Sequence, residues 1–180
     1  KNYAKTHPHT NKPFADGSKT KDATMGAHDF ASNEKSVTMT ADDTLSIALE
    51  TESGETVVLK ESLPVLAGEI VDATTMDAAH LQAFLANALA EARAEDVLFS
   101  VHLKATMMKV SDPIIFGHAV RAVVGDVYDS YPDANANDGL GSLLTRPPEA
   151  KDAVEAAIAA GPAIAMVDSD RGITNLHVPS

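Results

Sequence analysis

Near residue 76 the apolar residues change their spacing, and that change limits what the chain can fold into. From Ser36 to Leu59, the residues Val37, Met39, Leu45, Ile47, Leu49, Val57 and Leu59 alternate with polar neighbours. A period of two places one side of an extended chain against a core. The stretch is expected to form three strands, the last two joined as a hairpin through Ser53-Gly54. Glu69 to Asp72 is a candidate further strand, set off by Pro64 and Gly68. From Met76 to Glu95 the period becomes helical. Leu81, Phe84, Leu85, Ala88, Leu89 and Ala92 fall three and four apart, and Thr75 or Asp77 is placed to cap the start.

The second half alternates between the two kinds of element. Val97 to Leu103 reads as a buried strand of the kind found in parallel sheets. Asp112-Pro113 reads as a capping acid followed by proline at the first helical position. That helix is expected to reach about Tyr128, with Ile115, Ala119, Ala122 and Val123 inward. Asp133 to Gly141 is a loop rich in Asn, Asp and Gly. A helix from Pro147-Pro148-Glu149 to Gly161-Pro162 follows, then a strand over Ala163 to Val167 and a turn over Asp168 to Gly172. The expected class is α/β: an antiparallel hairpin region followed by a βαβαβ-type half. Three segments are expected: an extended lead-in over 1–35, a small β subdomain over 36–75 and an α/β subdomain over 76–180. The lead-in to Asn33 is polar and shows no period, so a partner surface is needed to order it.

Composition excludes several functions. Of the 180 residues, 14 are Lys or Arg and 26 are Asp or Glu, for a formal net charge of -12. Such a surface repels nucleic acid and anionic lipid, so neither is an expected partner. Cysteine is absent, which removes disulfides, thiolate metal sites and cysteine nucleophiles and suits a cytoplasmic location. No apolar run approaches the roughly 18 residues of a membrane span. The sequence starts at Lys1 and stops at Val178-Pro179-Ser180 without terminal character, a pattern that fits either a piece of a longer chain or a processed protein.

Few residues qualify for chemistry. Lys104 and Lys109 lie between the Val97–Leu103 strand and the helix at Asp112, where open α/β sheets collect ligands. A partly desolvated lysine there can hold a carboxylate and pass protons. The alternative is two surface lysines flanking a methionine pair, Met107-Met108, in the core. His7 and His9 lack a third ligand at metal-binding spacing, and His118 reads as a satisfied core histidine. Asp168 and Asp170 suit either magnesium or manganese, or an Asx-type turn closed by Gly172. No glycine-rich dinucleotide or phosphate loop is present.

Four runs carry a resemblance. They are Lys1-Asn2-Tyr3-Ala4-Lys5 with His7-Pro8-His9; Asn33-Glu34-Lys35-Ser36-Val37; Val97 to His118; and Met166 to Ser180. Across nearly the whole chain the sequence resembles the monomeric NADP-dependent isocitrate dehydrogenases, which are several times longer. The resemblance implies an internal segment of an isocitrate/isopropylmalate dehydrogenase-like fold. It also implies oxidation of isocitrate with NADP and magnesium or manganese, then decarboxylation to 2-oxoglutarate. Lys104 matches the family's lysine that contacts isocitrate and takes part in proton transfer, with Lys109, Ser111 and Asp112 fixing its loop. The family's metal-binding aspartates lie beyond Ser180, so Asp168 and Asp170 revert to the turn reading. The substrate motif with Asn and Arg precedes Lys1, and the NADP pocket lies downstream. The segment is therefore expected to be inactive alone, to bind neither NADP nor metal tightly, to need the remainder of its parent chain and to be able to self-associate. The rival expectation is a non-catalytic module, stand-alone or complementing, derived from that enzyme.

Overall fold

A computed structural model describes Thr6, Pro13 and residues 15–103, 108–144 and 148–168, with the backbone alone from 165 onward. The chain divides into two units, Met25–Phe84 and Lys1–Thr24 with Leu85–Ser180.

Within the first unit a short helix, α1 (Phe30–Asn33), precedes four strands: β1 (Lys35–Thr38), β2 (Asp43–Glu50), β3 (Thr56–Val65) and β4 (Ile70–Ala73). Asp29 caps α1, accepting from the Ser32 N–H at 2.8 Å while the Ser32 hydroxyl accepts from the Asp29 N–H at 3.2 Å. The Ser32 hydroxyl, donating to the Asp29 carboxylate at 2.6 Å, and then the Ser32 N–H hold that carboxyl below its ordinary range. The expected hairpin is present as β2 and β3, antiparallel from Asp43↔Val65 to Glu50↔Thr56. Its turn closes through Thr51 N–H to the Glu55 carbonyl at 2.9 Å. Gly54 has φ +82, a left-handed conformation that a side chain would strain. The first strand does not join this hairpin. β1 pairs with β4 instead, from Lys35↔Ala73 to Thr38↔Ile70. The alternation that placed the strands carried no information on which would pair.

The helix α2 (Ala78–Glu95) buries Leu81, Leu85, Ala88, Leu89 and Ala92, the face its three-and-four spacing predicts. Of the two candidate caps, Asp77 serves: its carboxylate accepts from the His80 N–H at 2.9 Å.

The second unit contains β5 (Phe99–Leu103), α3 (Ser111–Ser130), a 3-10 turn at Ala136–Asp138, the short α4 (Gly141–Leu144), α5 (Pro148–Ala160) and β6 (Ile164–Asp168). β5 and β6 pair in parallel, from Phe99↔Ile164 to Leu103↔Asp168. The βαβαβ expectation thus becomes, among the described residues, one parallel pair joined by a helical crossover. Three further expectations are corrected here. β5 is half-buried, because Phe99, Val101 and Leu103 pack on the core while Ser100 and His102 are exposed. The buried face of α3 is Phe116, Ala119, Val120, Val124, Val127 and Tyr128, and Ala122 is exposed. The helix departs from helical angles at Val124 (φ -129, ψ 27), yet the buried positions keep spacings of three and four through it, so a single stripe runs the length of the helix and passes beside Ala122. Finally, Asp112 is not the cap. The helix starts at Ser111, and Asp112 and Pro113 lie in its first turn. Any of the first four N–H groups lacks a helical partner, so proline is tolerated there too.

The core of this unit gathers α3, Leu140, Leu143, Val154 of α5 and Ile164 of β6. The expected loop over 133–141 is therefore an anchor. Tyr128 is 1 % exposed, and its hydroxyl donates to the Gly139 carbonyl at 2.8 Å. Burial pushes the phenol upward. Among the described residues of the lead-in, two lysines meet α2 by charge. Lys21 Nζ lies 2.6 Å from Glu91 and 2.9 Å from Glu95 of α2, and Lys19 donates to the Glu95 carbonyl at 2.7 Å.

Candidate functional site

Two parallel strands in register end side by side. Leu103, the last residue of β5, is level with Asp168 of β6, so the carboxyl edge of this small sheet presents two chain ends. Strand carboxyl ends beside helix starts are where α/β folds place ligand-binding groups. Lys104 is joined directly to Leu103. It lies outside the described residues, as do Ala105, Thr106 and Met107. The chain is described again from Met108, whose carbonyl accepts from the Asp112 N–H at 3.0 Å and so ties the loop to the first turn of α3. Met108 is 48 % exposed and Val110 78 %. The core reading of the methionine pair therefore fails for Met108. Lys109 is exposed, and Ser111 and Asp112 are half-buried at the helix start. An acid in that turn is favoured by the partial positive charge of the helix N-terminus.

The histidines separate. His7, His9 and His177 lie outside the described residues, as does Asp170. For Asp168 only the backbone is described. His118 on α3 is half-buried and has a partner, as a core histidine should. His28 and His80 stack, with ring centroids 3.7 Å apart and planes 16° from parallel. His80 Nδ1 is 3.0 Å from the Asp77 carboxylate, and the His28 carbonyl accepts from the Asp77 N–H at 3.0 Å. The bond from the His80 backbone N–H comes first among the causes that hold the Asp77 carboxyl below its usual range. No spacing rule pointed to this cluster, since the sequence separates its two rings by a sheet and a helix start. Among the described residues no three His, Asp or Glu side chains converge to hold a metal ion. A divalent metal therefore has no ligand set among the described residues.

An open cleft of about 540 Å³ is lined by Leu89, Arg93, Ala122, Val123, Gly161 and Pro162, among others. It is mostly apolar, and no described residue of the lysine loop lines it. No described helix is long and apolar enough to cross a membrane.

The family model for "monomeric isocitrate dehydrogenase" matches residues 1–180. The chain belongs to the monomeric isocitrate dehydrogenase family. Its relatives include isocitrate dehydrogenase (NADP) of Corynebacterium efficiens, 48 % identical over 192 residues, which cover 100 % of this chain and 26 % of that protein. The Azotobacter vinelandii protein of the same name is 41 % identical, and isocitrate dehydrogenase (NADP) 2 of Mycobacterium tuberculosis is 37 % identical, each with the same two coverages. The chain thus spans about a quarter of the length of these relatives. In this monomeric isocitrate dehydrogenase segment, the most distinctive run, Val97 to His118, straddles the end of β5, the lysine loop and the first turns of α3. One of the four runs that carry the family resemblance thus spans this strand end and helix start.

Proposed function

We propose that this chain supplies the lysine loop to an NADP-dependent oxidation and decarboxylation of isocitrate, and that it is inactive without the rest of a parent-length polypeptide. The observation that carries the reading is the family match along all 180 residues, with Lys104 immediately after a parallel strand's last residue. Oxidising a secondary alcohol requires its hydroxyl proton to leave, and the enolate formed by decarboxylation must regain a proton at carbon. An ammonium group near the oxygen stabilises both charged species and can relay the proton. Lys104 is assigned that role and contact with isocitrate, while Lys109, Ser111 and Asp112 hold the loop. NADP, when bound by the parent-length protein, would supply the hydride acceptor, and this sequence carries no glycine-rich loop of the kind that cradles its phosphates. The isocitrate/isopropylmalate dehydrogenase-like fold belongs to the same proposal. So does the three-part reading of lead-in 1–35, β subdomain 36–75 and α/β subdomain 76–180. The parallel β5–β6 pair and the small antiparallel sheets support both.

The test is Lys104→Met in the parent-length protein, assayed with isocitrate, NADP and manganese. Turnover is expected to disappear while the unfolding transition stays within a few degrees of the unsubstituted protein. A variant that keeps most of its rate removes Lys104 from the mechanism.

A further inference from the structure

Nine of the thirteen large apolar side chains exposed among the described residues belong to the unit Met25–Phe84, a third of the chain. Six of them are on the β2–β3 hairpin. The register makes part of this a face. Leu45 faces Leu63 and Leu49 faces Val57 across the ladder, while Ile47 between them faces Lys60, the register slipping on either side of it through extra residues on β3; β2 itself keeps its alternation, so its side chains two apart share a side. Ile47 and Leu49 are 49 % and 51 % exposed, Val57 and Leu63 39 % and 40 %. A two-stranded sheet is marginal alone, and among the described residues neither outer edge pairs with another strand. A soluble protein seldom leaves so much contiguous apolar surface uncovered.

Charge identifies the cover. The unit has eleven carboxylates and two lysines, and Glu50, Glu52, Glu55 and Glu61 all lie on this hairpin or in its turn. A second copy would set the same acids against each other around a two-fold axis. A complementary surface is apolar at its centre and carries lysine or arginine at its rim. The relatives offer a source, because three quarters of their length lies outside this match, and a tethered surface acts at high effective concentration.

We infer that the Leu45–Ile47–Leu49 face of the hairpin docks on an apolar, lysine- or arginine-rimmed surface elsewhere in the same parent-length polypeptide. The inference rests on family membership but not on the role of Lys104, and its readout is contact rather than turnover. A photo-crosslinking phenylalanine analogue at position 49 of the parent-length protein should give an intramolecular product. Mass mapping should place its other end outside the 180-residue segment, beside lysine or arginine. The same analogue at Glu52, in the turn, should give little. Introducing Glu50→Lys with Glu61→Lys should remove most of the position 49 product. Several results would overturn the inference: no product at position 49, an end within this segment, a product of dimer mass, or a yield indifferent to the charge reversal. Should the analogue unfold the protein, hydroxyl-radical footprinting of the unsubstituted protein decides. Ile47 and Leu49 must then be modified as slowly as the buried Leu85, and modification at the unfolded rate refutes the docking.

Discussion

Gly117 shows how one missing carbon sets an interface. A Cβ built there would lie 2.1 Å from Asn137 Oδ1 and 3.1 Å from the Asn137 backbone N, so α3 meets the 3-10 turn at backbone distance. Alanine would gain about 1 kcal/mol of helix propensity but must displace both atoms, and overpacking costs about 1–3 kcal/mol. Gly117→Ala is therefore expected to lower stability by about 1 kcal/mol net, read by chemical denaturation. Adding Asn137→Gly should recover part of the loss. A second residue-scale effect comes from Glu34. A shared hydrogen bond with Asp72, then repulsion from it, raises the Glu34 carboxyl above its ordinary range. A raised acid favours the folded state while protonated, so its contribution is present below the unfolded value and is lost as pH rises through the folded one. Glu34→Gln is expected to raise the melting temperature at neutral pH and to leave it almost unchanged in acid. An equal shift at both pH values would show that the carboxylate pair is not the cause.

At the scale of elements, legibility in the sequence followed periodicity. α2 was legible because Leu81, Leu85, Ala88, Leu89 and Ala92 all face one way along an unbroken helix. α3 was legible in extent but only partly in face: Ala119 is buried as its position predicts, while the stripe runs through Phe116, Val120 and Val124 rather than through Ala122, since several apolar residues in a row allow more than one stripe. Strand positions were legible, whereas the β1–β4 pairing depends on contacts between distant segments such as Met39 N–H to the Glu69 carbonyl at 2.8 Å. The anchor at Leu140 and Leu143 was hidden among Asn, Asp and Gly, which mark loops whether or not the loop is buried. Of the candidate site, the strand end and helix start were legible, while Lys104 lies outside the described residues. Gly125, next to the departure at Val124, differs from Gly117: a Cβ there meets nothing within 4 Å. Gly125→Ala should accordingly stabilise the protein by about 0.5–1 kcal/mol through helix propensity alone. A loss of stability in denaturant titration would mean that the irregular turn needs glycine's freedom.

At the scale of the whole molecule, the proposed role for Lys104 meets a surface of the wrong sign. Isocitrate carries several carboxylates, and a chain of net charge -12 repels it everywhere except at a local cluster of cations. Lys104 and Lys109 flank the loop, but no described trio of carboxylates or imidazoles offers a metal ion to offset the substrate's charge. Enzymatic rate arises from holding several groups in one geometry at once, and a single positioned amine recovers little of it. The isolated chain, mixed with isocitrate, NADP and manganese, is therefore expected to form no NADPH above the protein-free background. The parent-length protein under the same conditions should turn over at an ordinary enzymatic rate, on the order of 1–1000 per second. Added salt separates repulsion from incompleteness: screening weakens the field within about 10 Å at 0.1 M, so activity that emerged with salt would make charge the obstacle. Inactivity at every ionic strength, with activity in the parent-length protein, would locate the missing chemistry in the other three quarters of the polypeptide.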